Sequence, residues 1–189
     1  MKIGIDISQL AYSNTGVANY LKNLVENLLE FDNNNDYVLF YSSLRKKLPD
    51  SSFWNHKPYL KINQDKINAK SVEIYEYKFP PVLLDFLWNK LHVFPIENLI
   101  GNVDVFITSD WVEPPSKKAK KATIIYDLII YKYPKETDKK IIKTQMRKLK
   151  WVKKESDLIF TISESAKKDI NEILNIENQK IKVIYPGLL

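Results

Sequence analysis

Two carboxylates, an indole and one glycine turn stand where an α/β chain could use them. Asp127 directly follows the apolar run Ala122 to Tyr126, and Asp110 follows Val103 to Thr108 by two residues. A carboxylate at the end of a buried strand is placed to accept hydrogen bonds from the hydroxyls of a sugar or another polyol. Trp111, beside Asp110, adds an aromatic face that can stack on a sugar ring or cover the site. Asn14-Thr15-Gly16 lies between a strand-like and a helical stretch, so amides at that helix start can approach a phosphate oxygen with no Cβ at Gly16 in the way. Each of these also has a plain structural reading. A strand-end Asp is often a turn residue, Trp111 can be packed core, and a lone glycine can be a simple αβ turn.

Other chemistries are excluded by what is missing from the sequence. There is no G-x-G-x-x-G dinucleotide fingerprint and no G-x-x-x-x-G-K-[ST] phosphate loop. With no cysteine there is no thiolate nucleophile, no disulfide framework and no Cys-based zinc site, and His56 and His92 are too isolated to form a metal site. Neither histidine is assigned a catalytic role, and no metal or cofactor is expected.

The elements that must carry these residues follow from hydrophobic period. Lys2 to Ile7 is β-branched and strand-like, Ser8 to Gly16 is polar and turn-forming, and from Val17 apolar residues fall at Leu21, Leu24, Val25, Leu28 and Leu29, the spacing of a one-sided helix. Tyr37 to Tyr41 is a buried strand after an Asn/Asp cluster, completing a βαβ unit. Two short strands are expected at Tyr59–Ile62 and Val72–Tyr77, a core helix over Val82 to Phe94, and strands at Val103–Thr108 and Ala122–Tyr126. An amphipathic helix over Asp138 to Glu155, a strand Leu158–Ile162, a helix Glu164–Leu174 capped by Ser163, and a strand Ile181–Tyr185 close the pattern. Alternation of this kind predicts an α/β fold with a Rossmann-like parallel sheet and helices on both faces. Right-handed crossovers put every strand C-terminus on one edge, where such sheets bind ligands. The Ser8–Gly16 loop, Asp110-Trp111, Asp127 and Ser163-Glu164 are all delivered there.

Length and composition agree. The 189 residues are 44% hydrophobic and 28% charged, the make-up of one globular domain. No stretch approaches the roughly 20 apolar residues of a spanning helix, and the N-terminus reads as strand rather than signal peptide, so a cytoplasmic protein is expected. The net charge of +6 is uneven, at −2 over residues 1–110 and +8 over 111–189, and most of the excess lies in 117–154. That segment is either a solvated helix face or a surface for phosphate, nucleic acid or anionic lipid.

Taken together, K-I-G-I-D-I (Lys2–Ile7), T-G-V-A-N-Y (Thr15–Tyr20), D-V-F-I-T-S-D-W-V-E-P-P (Asp104–Pro115), A-T-I-I-Y-D-L-I-I-Y-K-Y-P (Ala122–Pro134), D-L-I-F-T-I-S-E-S-A-K-K-D-I (Asp157–Ile170) and K-V-I-Y-P-G (Lys182–Gly187) resemble the N-terminal half of a family 4 (group 1) glycosyltransferase of GT-B fold. The resemblance spans the chain and is weakest from Ser42 to Asn102. It implies the acceptor-binding domain, residues 1–185, of a two-domain retaining enzyme that moves a sugar from a nucleotide-sugar donor to a glycan or lipid-linked acceptor. Residues 186–189 would begin the connection to a nucleotide-binding domain, so that the chain alone is expected to be inactive. It implies Thr15, Gly16 and Val17 near the donor phosphates and acceptor, Asp127 and Tyr126 at the transferred sugar, and Asp110, Trp111, Ser163 and Glu164 toward the acceptor. The implied setting is cytoplasmic assembly of cell-envelope polysaccharide, with peripheral contact to the membrane. Two positions depart from the family pattern: Tyr126 stands where members commonly have His before the Asp, and Ala18 replaces a second glycine. A phenol donates a hydrogen bond but, with a pKa near 10, does not shuttle protons at neutral pH. The competing reading is a basic α/β module that binds nucleic acid or an anionic membrane, nucleic acid being the less expected partner.

Overall fold

The computed structural model describes residues 1–48, 71–109 and 111–187. The expected strand Tyr59–Ile62, His56 and Asp110 lie outside the described residues.

β1 (Lys2–Asp6) enters the core at once, and a 3₁₀ turn over Ser8–Tyr12 leads to α1 (Gly16–Phe31). Thr15 starts α1 by accepting a hydrogen bond from Ala18 N at 3.2 Å, which satisfies one of the amides a helix N-terminus leaves orphaned. β2 (Asp36–Ser42) and β3 (Val72–Tyr77) follow, then α2, a helical turn Pro81–Leu84 running into a π-helical Asp85–Lys90. A short α3 (Glu97–Ile100) leads to β4 (Val105–Ser109) and β5 (Lys120–Ile125). α4 (Ile129–Lys132), α5 (Lys139–Glu155), β6 (Leu158–Thr161), α6 (Glu164–Leu174) and β7 (Ile181–Val183) complete the order.

All the strands are parallel, in the order β3-β2-β1-β4-β5-β6-β7. The expected α/β Rossmann-like architecture is therefore what the chain adopts. Successive strands step one way from β1 to β3 and the other way from β4 to β7, so the direction reverses between β1 and β4, the place where loops diverge and a crevice opens. Strand alternation assigns the two faces. Ile5, Leu39 and Ile124 pack with Leu21, Val25 and Leu29 of α1 on one side. On the other, Val38, Phe40 and Phe106 meet Trp88 of α2 and Ile96 and Ile100 of α3, while Ile125, Ile159 and Ile181 meet Leu149 and Val152 of α5 and Ile170 and Leu174 of α6. Gly4, paired with Val38 and Phe106 in the middle of the sheet, has no room for a side chain, since a Cβ there would lie 2.7 Å from the Phe106 ring.

Two elements differ from the sequence expectation. The polar Ser8 to Gly16 stretch holds the 3₁₀ turn, because Leu10 and Ala11 find burial against α1 and β2. The helix expected to reach Phe94 ends at Lys90 and widens, with Leu91 N donating to Phe86 O five residues back at 3.0 Å. His92 and Phe94 then take left-handed φ values of 55° and 68°, which ends the helix before Pro95.

Candidate functional site

The rim begins at the end of β1. Asp6 is 3% exposed, and its Oδ1 accepts a hydrogen bond from Ser8 N at 2.9 Å. Burial pushes its carboxyl up to about 6, opposed by the Ser8 hydrogen bonds and the positive charge of Lys148 and reinforced by Glu113. Asp6 and Ser8 line a cavity of about 210 Å³ at the β1/β4 crevice, with Gln9, Leu84, Trp111 and Val112 among its walls. Gln9 is 7% exposed, and its amide has no hydrogen-bond partner among the described residues.

A second cavity, about 180 Å³, shares Trp111 with the first and is lined by Val17, Tyr126, Asp127, Gln145 and Lys148, with apolar walls from Ile125 and Ile130. Three separate segments thus meet here. Val17 comes from the first turn of α1, Trp111 from the segment after β4, and Tyr126 and Asp127 from the end of β5. The Tyr126 hydroxyl and Ser109 Oγ are 2.9 Å apart, which joins the ends of β4 and β5. The Tyr126 ring stands edge-on to Tyr20 of α1 at 5.5 Å between centroids, and the Tyr20 hydroxyl donates to Ile184 O at 3.0 Å. Asp127 is exposed, and its Oδ1 accepts from Ile129 N at 3.0 Å, so one oxygen shapes the turn while Oδ2 has no partner among the described residues. Lys148, on α5, is 1% exposed and also lines the cavity.

Other expected residues are placed differently. Thr15 is occupied as a cap, also donating to Tyr12 O at 3.0 Å, and the space a Cβ would take at Gly16 is open. Ser163 caps α6 by accepting from Ala166 N at 3.1 Å, and Glu164 is exposed in the first turn of that helix. Neither lines the two rim cavities. Among the described residues no group of three His, Asp or Glu is arranged to hold a metal, and no helix is long and apolar enough to cross a membrane.

Several residues that shape the site were not singled out from sequence. Asn89, 2% exposed on α2, fixes the Trp111 loop: its Nδ2 donates to Trp111 O at 2.9 Å and its Oδ1 accepts from Glu113 N at 2.9 Å. Beneath that loop Thr108 donates to Glu113 Oε2 at 2.6 Å, and Glu113 Oε1 lies 3.1 Å from Lys121 Nζ. Lys121 also meets Glu155 at 3.1 Å, and Glu155 bonds His92 Nε2 at 2.9 Å. His92 is therefore structural. Of the basic cluster at 117–154, Lys121 and Lys148 are buried and Arg147 is paired with Asp85, so its charge is not a uniformly solvated face.

Sequence comparison adds nothing to this geometry, since no protein-family model matches the chain and no curated protein matches it.

Proposed function

We propose that this chain is the acceptor-binding domain of a retaining glycosyltransferase. The enzyme would move a sugar from a nucleotide-sugar donor to a glycan or lipid-linked acceptor, in cytoplasmic assembly of cell-envelope polysaccharide. The observation that carries the reading is the convergence of Val17, from the first turn of α1, with Trp111, Tyr126 and Asp127, from two strand-end loops, on one rim cavity. A flat indole beside a carboxylate oxygen without a partner is the pairing that saccharide recognition uses, one stacking on C–H faces and the other accepting from hydroxyls. Lys148 lines the same cavity, and its charge also acts on Asp6 of the neighbouring one. In this reading Asp127 holds a hydroxyl of the sugar, and Tyr126 donates to a sugar oxygen in place of the usual imidazole. The Thr15-Gly16-Val17 turn faces the donor phosphates. Asp110, Trp111, Ser163 and Glu164 serve the acceptor, the last two from outside the two rim cavities.

The test is saturation-transfer NMR of the chain against a panel of mono- and disaccharides at up to about 10 mM, the range of weak single-domain sugar binding. At least one saccharide is expected to bind, with about ten-fold weaker affinity in Trp111→Ala and Asp127→Asn, and no nucleotide-sugar is expected to turn over. A panel with no binder, or binding indifferent to both substitutions, rejects the proposal.

A further inference from the structure

The cavity at the β1/β4 crevice is distinct in chemistry from the one proposed to hold a sugar. Of the described residues assigned to the sugar, only Trp111 lines it. Its walls carry two carboxyls, Asp6 and Asp85, and no Lys or Arg among the described residues. Asp85 is already compensated, since Arg147 pairs with it and Asn89 Nδ2 donates to its Oδ1 at 2.9 Å. Asp6 is not. It is buried at the end of β1, and its hydrogen bonds come from the neutral backbone and hydroxyl of Ser8. No ion pair of the described residues includes it. The charges that act on it from farther away oppose each other, Lys148 of α5 favouring its ionised form and Glu113 of the segment after β4 disfavouring it. The remaining titratable group on the cavity wall is the Tyr12 phenol of the 3₁₀ turn.

A buried carboxylate without a cation beside it is costly, and either a proton or a cation carried by a ligand relieves it. Burial pushes the Asp6 carboxyl up to about 6 against the Ser8 hydrogen bonds, so at pH 7.5 the proton remains on only about one molecule in thirty. A second polar group faces the same space. Gln9 is also buried, and its amide has no hydrogen-bond partner among the described residues, which leaves its carbonyl open to a donor. The wall around these two groups is apolar, from Ala11, Leu84, Val112 and Trp111. One carboxylate and one amide are a poor cage for a metal ion, which takes about six oxygens, and aliphatic walls offer nothing to a hydrated ion. An alkylammonium head matches both oxygens with its three N–H donors, and its charge is also favoured beside an indole.

We propose that this cavity, of about 210 Å³, binds a small organic ammonium ion, its head hydrogen-bonded to Asp6 and Gln9 and its apolar body against Leu84 and Trp111. The ammonium and the proton compete for Asp6. Affinity for the amine therefore rises as pH passes upward through the range in which the carboxyl ionises, whereas a neutral ligand of the same shape has no such dependence.

Titration of the 189-residue chain with benzylamine and with benzyl alcohol, followed by proton–nitrogen correlation NMR, tests this, because the two probes differ chiefly in the charged head. At pH 7.5 the amine is expected to bind about ten-fold tighter or more, the worth of a hydrogen bond to a charged group. At pH 5, where Asp6 is protonated and the amine keeps its charge, that advantage is expected to fall several-fold. Asp6→Asn keeps an acceptor for Ser8 N and is expected to abolish the advantage at pH 7.5 while leaving the affinity for the alcohol within about two-fold. Gln9→Leu is expected to weaken the amine about five-fold, with circular dichroism melts to check its folding. Equal affinity for the two probes, no binding of either up to about 10 mM, or an amine advantage that persists at pH 5 or in Asp6→Asn overturns the proposal. No saccharide enters the measurement, so this proposal and the sugar-binding one stand or fall separately.

Discussion

A carboxyl closed off from water at the end of β1 makes stability depend on pH in a direction opposite to most acidic groups. An unfolded Asp titrates near 3.9, whereas Asp6 in the folded chain titrates at about 6. Between those values the native state holds a proton that the unfolded state has released, so stability falls as pH rises from about 4 to about 6 and stays lower above. Asp6→Asn keeps an acceptor for Ser8 N and removes the buried charge. It is expected to flatten this slope and add on the order of 2 kcal/mol at pH 7, read from urea unfolding at pH 4.5 and pH 7. A less stable variant at pH 7 would mean instead that the ionised carboxylate is held by Lys148. Lys148 itself left a signal in the sequence. It falls four residues before Val152 and seven after Ile141, on the apolar stripe of its helix, where a lysine needs a reason. Asp127 and Trp111 could be placed at strand ends from sequence because strand ends mark themselves, whereas Thr15 and Gly16, expected on the same rim, line neither cavity. Asn89 and Glu113 were not, because their partners lie across the fold and no local pattern encodes them.

At the scale of elements, caps are the most local signal and the easiest to test. Ser163→Ala and Asp138→Ala each remove the side chain that bonds the first free amides of α6 and α5, with Asp138 Oδ1 accepting from Lys140 N at 2.7 Å. Each is expected to lower stability by about 1 kcal/mol in chemical denaturation, since the amides return to water. Gly4→Ala should cost more, about 1–3 kcal/mol, because the Phe106 ring it meets is fully buried and cannot yield without disturbing Ile100. An unchanged melting midpoint would show that the centre of the sheet has slack. The strands after β3 could be read because apolar runs of strand length were separated by clear breakers. The widening of α2 could not, because over ten residues the apolar spacing of a π-helix is hard to tell from that of an α-helix, and its end is set by Trp88 reaching Phe94 rather than by a stop residue.

For the whole molecule, the chain of Thr108, Glu113, Lys121, Glu155 and His92, buried over its first three members, couples the β4–β5 half of the sheet to α5 and to the turn after α2. Removing one charge strands another: Lys121→Met leaves Glu113, with no exposed surface, uncompensated, at an expected cost of about 3–5 kcal/mol. The pair Lys121→Met/Glu113→Gln should recover much of that loss in a double-mutant cycle measured by urea unfolding, and additive losses would show that the two residues act separately.

The sheet is completed out of order with its synthesis. Ile3 leaves the ribosome more than a hundred residues before Val105, its neighbour across the crevice. At roughly 5–20 residues per second the nascent β1 waits on the order of ten seconds with one side unzipped, long enough to need shielding from other growing chains.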